Sequence, residues 1–281
     1  MPPLIYCDHN FLISLFDEGE QYKDNLRAIV STGKIRSVFS MWHWVEMAKD
    51  KDHTHALALA DFADSLNPLW IRERVSLHRD HMMAVFCSWS GIQYSFPPAV
   101  CSLPEMMANF SSRPLEKMST LSSRQFVSGW RANSDSLAQM IIAHQRNVES
   151  FGWLKVHLRR VTREVDRARR AAVRGFLPEK TPAGLVIDQE TKERFLRECD
   201  LTRCGTLATE IVISEEDWHF LGKLRWQHFI DRQHLVPALP HVDFFATNDK
   251  RLVSLVRRVR PKLPFNLADT LSRQAFESTF I

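Results

Sequence analysis

The chain has 281 residues, 44% of them hydrophobic and 25% charged, which is the balance of an ordinary globular protein with ample material for a core. The formal net charge of +4 is too small to assign a nucleic-acid partner by itself. The first ten residues have neither a basic start nor a long apolar run, and no later stretch reaches about 18 apolar residues, so neither a signal peptide nor a membrane span is expected.

Hydrophobic periodicity predicts alternating strands and helices near both ends of the chain. In chain order the N-terminal part predicts a strand at 3–7, a helical segment at 10–33, a strand at 35–40, and helices at 41–50 and 55–66. From about residue 69 to 222, helices dominate and the alternation stops. The C-terminal part predicts a helix at 223–239, a strand at 244–247, a helix at 250–259 and a short last strand at 263–266.

Strand-bearing ends that flank a helical middle indicate an α/β fold. We expect residues 1–66 and 223–281 to build one domain around a short parallel sheet. Residues 67–222 are then expected to form a large, all-helical insertion.

Four acidic residues stand at or just after the carboxyl ends of the predicted strands, or on neighbouring helices. They are Asp8, Glu46, Asp231 and Asp249, called the acid quartet below. In open α/β sheets, ligands bind at the carboxyl ends of the strands, near the point where the strand order reverses. Four converging carboxylates need neutralisation, and hard divalent cations prefer oxygen ligands. The quartet therefore predicts a site for Mg²⁺ or Mn²⁺, suited to phosphodiester hydrolysis by water.

Each of these acids also has a structural interpretation that the sequence leaves open. Asp8 could cap the following helix, and Glu46 could lie on a solvated helix face. Asp231 could interact with a helix N-terminus, and Asp249 could form a turn. A fifth acid, Asp243, precedes its strand and is expected to be structural, because that end of the strand lies away from the quartet.

Three segments together resemble the PIN domain, a nuclease superfamily that includes toxin-type endoribonucleases. They are IYCDHNFLISLF, FSMWHWVEMAKD and DRQHLVPALPHVDFFATNDKRL. In that family an Asp follows the first strand, a Glu lies in the helix after the second, a third Asp opens a helix, and a fourth follows the next strand. The acid quartet takes these positions. The resemblance implies a three-layer α/β/α fold and metal-dependent cleavage of RNA, and it covers roughly residues 1–66 and 223–270.

The resemblance also implies supporting residues behind the acids. Asn10, Ser40 and Thr247 match family positions, where they would orient carboxylates or metal-bound water. Their structural alternative is ordinary hydrogen bonding at helix starts and turns. His9 departs from the family, which has Thr or Ser there, and its side chain is expected to point away from the metal ions.

Two basic segments are candidates for RNA contact. An arginine stripe recurs on one face of the predicted helix at 153–174, formed by Arg159, Arg163, Arg167, Arg170 and Arg174. Lys250 and Arg251 follow Asp249 directly, where they could flank a bound phosphate. The structural alternative for both segments is a solvated helix face. Trp42 and Trp44 are expected to pack in the core rather than to stack on a base.

Together these features predict a metal-dependent endoribonuclease with a toxin, defence or RNA-processing role. The alternative from another class is a PIN-like scaffold that binds RNA or protein without cutting. The expected partners are single-stranded or structured RNA, an antitoxin or other protein, and a second copy in a homodimer, with no membrane. Five cysteines without a CxxC motif favour a reducing compartment, so the expected location is the cytoplasm.

Overall fold

The computed structural model describes residues 1–108, 121–133, 139, 175–200, 203–221 and 226–281. Its strands are β1 (Leu4–Cys7), β2 (Arg36–Phe39), β3 (Leu69–Ile71), β4 (Val100–Cys101), β5 (Phe244–Ala246) and β6 (Asp269–Leu271). Its helices are α1 (His9–Phe16), α2 (Glu20–Ser31), α3 (Met41–Ala48), α4 (His53–Ser65), α5 (Arg74–Trp89), α6 (Leu103–Ala108), α7 (Ser123–Ala132), α8 (Gln189–Glu198), α9 (Gly205–Leu221), α10 (Trp226–Ala238), α11 (Lys250–Val259) and α12 (Arg273–Phe280). A 3₁₀ turn at Arg260–Lys262 follows α11.

The strands form one six-stranded sheet in the order β4-β3-β2-β1-β5-β6. Strand β1 pairs in parallel with β2 on one side and with β5 on the other. The chain therefore builds one half of the sheet outward from β1 and returns to β1 with its C-terminal strands. This arrangement confirms the expected α/β class and the central parallel sheet made from both ends of the chain. The edge strand β4 runs antiparallel to β3, so the sheet is mixed.

Apolar side chains cover both faces of the sheet because successive strand residues point to opposite sides. Ile5 and Cys7 pack into a core with α1, α2, α3, α4 and α7. Tyr6 and Phe245 pack into a second core with α5, α9, α10 and α11. Helices thus lie on both sides of a sheet whose central strands are buried, as parallel sheets require.

The predicted helical segment at 10–33 is two helices rather than one. Helix α1 ends at Phe16, and α2 begins after Gly19, whose φ of 107° is a conformation that side-chain-bearing residues rarely adopt. The expectation of one continuous helix was wrong because the apolar spacing on either side of this break happens to stay in phase.

The expected all-helical character of residues 67–222 is wrong at two places. Strands β3 and β4 lie within this segment and extend the sheet beyond β2. They have three and two residues, too few for a periodic pattern to be visible in the sequence. The remaining described part of the segment is largely helical. It has a small core of its own, where Phe86 and Phe195 meet with ring centroids 5.2 Å apart.

The last strand is β6, not the predicted segment 263–266. Leu263 and Leu267 are buried in loop structure, so their apolar character reflects packing without strand pairing. Strand β6 pairs with β5 through Phe244 and Asp269, and Ala268 N–H donates to Leu239 O at 2.8 Å just before it.

A histidine between two carboxylates fastens the end of α1 to the start of α4. His55 Nδ1 lies 2.5 Å from Asp50 Oδ2, and His55 Nε2 lies 3.0 Å from Asp17 Oδ1. Hydrogen bonds to Asp17 and Asp50 raise the pKa of His55. Both ring nitrogens therefore favour carrying a proton in the folded state.

We expect this pair of contacts to make stability depend on pH. The folded chain holds the His55 proton more tightly than the unfolded chain, so the contribution is complete below the unfolded pKa of about 6.5 and is lost as pH rises through the folded value. His55→Gln should cost about 0.5–1 kcal/mol below pH 6 and progressively less above it, in urea unfolding. His53→Gln, an exposed neighbour on the same helix, is the control. A loss that stays constant between pH 5 and 9 would contradict the assignment.

Candidate functional site

Three polar residues follow the central strands in one row at the carboxyl end of the sheet. The register aligns Tyr6 with Val38 and Cys7 with Ala246, so the next residue of each strand continues the alignment. These next residues are Asp8, Ser40 and Thr247. This is the edge where open parallel sheets bind ligands.

Asp8 is buried and uses both of its carboxylate oxygens. Oδ1 accepts the Phe11 N–H at 2.7 Å and so caps α1, while Oδ2 accepts the Thr247 hydroxyl. Burial raises the pKa of Asp8, although the two hydrogen bonds oppose the rise. The helix-cap interpretation of Asp8 is therefore correct, and it is compatible with a place at the strand ends.

Glu46 lies on α3 and is not a solvated surface residue. Its side chain is 20% exposed, and Oε2 lies 2.7 Å from His234 Nε2. Burial on its own would raise the pKa of Glu46, but His234 outweighs it and lowers the pKa to about 2. Glu46 is therefore an ionised carboxylate in a largely desolvated place.

Asp231 lies within α10, one and a half turns after Trp226, and does not open the helix. The expected position at a helix N-terminus was wrong because α10 begins earlier than the acid. The Arg251 guanidinium contacts Asp231 Oδ2. Burial nevertheless raises the pKa of Asp231 to about 6, and repulsion from Asp249 and Glu46 adds to the rise.

Asp249 is the N-cap of α11. Its Oδ1 accepts the N–H groups of Arg251 at 2.7 Å and Leu252 at 3.3 Å, and its own N–H donates to Thr247 Oγ1 at 3.1 Å. Arg251 Nε lies 4.0 Å from its other oxygen. Thr247, which is fully buried, therefore links Asp8 with Asp249.

The structure brings the acid quartet into one neighbourhood. Thr247 joins the first acid to the last, and Arg251 lies against the last two. Electrostatic repulsion acts between Asp8 and Glu46 and between Glu46 and Asp231. His234 favours the ionised forms of Asp8, Glu46 and Asp231.

The donor atoms fit a divalent cation in their chemistry, because hard cations prefer carboxylate oxygens. One buried polar atom beside the quartet also lacks a partner. His9 Nδ1 forms no hydrogen bond with any described residue, and its ring interacts electrostatically with Glu46. The direction of the His9 side chain relative to a metal ion stays a prediction. Within the described ranges, however, no three His, Cys, Asp or Glu side chains are arranged to hold a metal ion. Arg251 and His234 contact the acids instead.

The three predicted supporting residues make different contacts in the structure. Thr247 contacts Asp8 directly, as described above. Ser40 is buried, and its hydroxyl lies 2.8 Å from the Tyr6 hydroxyl. Asn10 is exposed at the second position of α1, and its side chain forms no hydrogen bond with any other described residue.

The sequence patterns did not reveal the buried chain of hydrogen-bonded side chains behind Glu46, which is formed by His234 and Tyr6. His234 Nδ1 lies 2.5 Å from the Tyr6 hydroxyl, while its other nitrogen faces Glu46. The sequence carried a signal for His234, because it stands three residues after Asp231 and residues at that spacing share a helix face. Tyr6 gave no comparable signal within its apolar strand.

Most cations of the basic segment 250–262 are engaged within the protein. Arg251 contacts Asp231, as described above, rather than facing outward. Arg258 Nε and Lys262 Nζ both contact Glu216, and Arg260 lies 2.7 Å from Asp269. Lys250 is exposed at the start of α11, next to Asp249. The arginine stripe at 159–174 lies outside the described residues.

Two other predicted structural roles can be compared with the structure. Asp243 Oδ2 accepts the Leu4 N–H at 2.7 Å, at the opposite end of β1 from Asp8, as expected for a structural acid. Trp44 is buried, stacks on Phe126 with centroids 4.0 Å apart, and donates to Ser123 Oγ at 2.8 Å. Trp42 is partly buried against the same core.

Comparison with protein-family models, curated proteins and solved structures finds no match for this chain. The likeness to the PIN domain therefore stays a prediction that rests on the motif residues. Among the described helices, none combines the length and apolarity needed to cross a bilayer.

The raised pKa of Asp231 makes its ionisation a cost to the metal-free fold. Between pH 4 and 6 the folded chain keeps a proton on Asp231 that the unfolded chain has lost, so this contribution to stability falls as pH rises. Asp231→Asn should therefore be more stable than wild type at pH 7, by about 1–3 kcal/mol, and the gain should shrink towards pH 4. Urea unfolding of the chelator-treated protein at several pH values measures this. Equal gains at pH 4 and pH 7 would contradict the assignment.

Proposed function

We propose that this protein is a metal-dependent nuclease that hydrolyses RNA at the acid quartet. One observation carries the proposal: four carboxylates from distant parts of the chain converge at the carboxyl end of the central parallel strands. Arg251 and His234 contact them, and Lys49 lies close enough to Glu46 to interact electrostatically. Burial and repulsion from Asp249 and Glu46 raise the pKa of Asp231, so its carboxylate lacks enough nearby positive charge to offset burial. A bound cation would supply that charge.

In this proposal the quartet holds Mg²⁺ or Mn²⁺, which when bound would activate water and neutralise the phosphodiester. Thr247 fixes the Asp8 carboxylate through its hydroxyl, and the α1 and α11 N–H groups fix one oxygen each of Asp8 and Asp249. The carboxylates are thus oriented before any ligand arrives, which reduces the cost of ordering them. No side-chain nucleophile is required.

RNA is the proposed substrate because an anionic polymer must approach an acidic centre, and flanking cations reduce that repulsion. Lys250 is exposed immediately beside Asp249, and the arginine stripe of the sequence would add a second cationic surface. The proposal keeps the cytoplasmic location, since all five cysteines carry free thiols. An antitoxin or other protein partner and homodimer formation remain proposals that follow from the PIN-like motifs alone.

A scaffold that binds RNA or protein without cutting is the second candidate function. It is favoured by the engagement of Arg251 with Asp231 and by the lack, among the described residues, of a three-ligand metal group. In the scaffold the arginine would be a permanent structural partner of the acid. In the nuclease it would compete with the cation for the same oxygen.

The nuclease proposal predicts that Asp8→Asn abolishes cleavage while the protein stays folded. Asparagine can still accept the Phe11 N–H, so the cap on α1 is kept and the negative charge is lost. We expect the cleavage rate of a mixed-sequence single-stranded RNA with Mg²⁺ or Mn²⁺ to fall by about 100-fold or more.

Asp52→Asn is the matched control for Asp8→Asn. Asp52 also caps a helix, accepting the Thr54 N–H at 2.8 Å, but lies outside the quartet. It should cleave as wild type does. Equal metal-dependent cleavage by the Asp8 variant and wild type would remove the quartet from the reaction, and no cleavage by wild type with any divalent cation would favour the scaffold.

The two candidates also differ in what Arg251→Met does to metal binding. In a nuclease the variant frees Asp231 and removes a nearby positive charge, so Mn²⁺ should bind about tenfold more tightly in isothermal titration calorimetry. Arg257→Met is the control, because Arg257 is exposed on the same helix and has no acidic partner among the described residues. Unchanged or weaker Mn²⁺ binding by Arg251→Met would contradict competition between the arginine and the cation.

A further inference from the structure

We propose that His234 is a positioning residue for Glu46, and that a buried chain through Tyr6 and Ser40 holds it in place. This inference rests on the function proposed above and adds residues that the sequence motifs do not contain. In this inference, Glu46 is correctly oriented to bind a cation only when His234 holds one of its carboxylate oxygens.

The chain of contacts is continuous. Glu46 Oε2 lies 2.7 Å from His234 Nε2, and His234 Nδ1 lies 2.5 Å from the Tyr6 hydroxyl. The Tyr6 hydroxyl lies 2.8 Å from Ser40 Oγ. These four residues come from α3, α10, β1 and the residue after β2, so the chain ties Glu46 to the centre of the sheet.

Hydrogen bonds hold the His234 ring from both sides. Its Nε2 faces the Glu46 carboxylate, which can only accept, and its Nδ1 faces the Tyr6 hydroxyl. The Tyr6 hydroxyl also contacts Ser40 Oγ, which fixes the hydroxyl in turn. The orientation of the His234 ring is therefore set by a partner on each of its two nitrogens.

Packing prevents His234 from turning away. Its side chain is only 5% exposed, and its ring lies edge-on to His43 with centroids 4.9 Å apart. Tyr6, which is fully buried, stacks on Phe245 with centroids 5.6 Å apart. His43 is fixed in turn, because its Nε2 lies 2.7 Å from Cys7 O and its Nδ1 accepts the Ser40 N–H at 3.0 Å.

This geometry gives His234 a role that hydrophobic filling could not supply. It occupies Oε2 of Glu46 and leaves Oε1 without a hydrogen bond from any described residue, so one oxygen stays available for a ligand. Without His234 the Glu46 carboxylate would be largely buried, without its nearest partner and free to rotate. Residues that orient a metal ligand in this way typically change metal affinity or activity by about 10–100-fold when removed.

Mn²⁺ affinity of purified variants, measured by isothermal titration calorimetry, tests the inference without relying on turnover. His234→Ala should weaken Mn²⁺ binding by about 10–100-fold, and His234→Gln, whose amide can donate to Glu46, should restore it to within about threefold of wild type. Tyr6→Phe keeps the ring and removes only the hydroxyl, and should weaken binding by about 3–10-fold. RNA cleavage by Tyr6→Phe should recover at saturating Mn²⁺.

Tyr22→Phe is the matched control, because it removes a phenol hydroxyl that donates to Glu277 at 2.6 Å, away from the quartet. It should bind Mn²⁺ as wild type does. Thermal unfolding of every variant establishes that it is folded, and if His234→Ala is not, the comparison of Tyr6→Phe with Tyr22→Phe decides the matter. Wild-type affinity in both Tyr6→Phe and every folded His234 variant would overturn the positioning role and leave the nuclease proposal intact. Absence of Mn²⁺ binding by wild type would overturn both.

Discussion

The placement of one buried and three partly buried carboxylates at one end of a sheet is the constraint on which the rest of this structure depends. Each charge that leaves water carries a cost, and like charges nearby increase it. The raised pKa values of Asp8 and Asp231 record that cost, while the lowered pKa of Glu46 shows that His234 offsets it locally. The Arg251 guanidinium, the Thr247 hydroxyl and the N-terminal N–H groups of α1 and α11 offset part of this cost.

For Asp8 and Asp249, capping a helix and contributing to the candidate site are two results of the same arrangement. Asp8 and Asp249 each cap the helix that follows a parallel strand. The cap fixes one oxygen of the side chain by backbone N–H groups, and the strand register fixes where that side chain lies. Because β1 and β5 are neighbours in parallel register, the two caps come together, and Thr247 hydrogen-bonds to both residues. A carboxylate that caps such a helix is thereby placed at the end of the sheet where open parallel sheets commonly bind ligands.

The sequence predicted the parts of the fold in which a local pattern carries the information. Strands β1, β2 and β5 and helices α3, α4 and α11 lie where periodicity puts them, within two residues. Strands β3 and β4 were missed because two or three residues are too few for a period. Tyr6 and His234, which are 228 positions apart, and His234 and Glu46, which are 188 apart, meet only through tertiary folding, so spacing could not reveal their chain. Asp231 was selected for its order among the acids, while its place within α10 depended on where that helix begins.

The energetics of the acids bear on the choice between a nuclease and a scaffold. A partly buried ion pair such as Arg251 with Asp231 often contributes little net stability, because desolvation consumes the Coulombic gain, and apolar residues of similar size would serve packing as well. Asp231 remains costly even with its arginine present, since its pKa stays about 6. Residues that lower stability in this way are expected where a ligand requires them, because function is the usual reason for keeping a strained or desolvated charge. Of the four carboxylates, a scaffold would use Asp8 and Asp249 as helix caps, but it has no need of the costly Asp231. A cation site needs all four ionised, oriented and close together, and the caps, Thr247 and His234 supply the orientation.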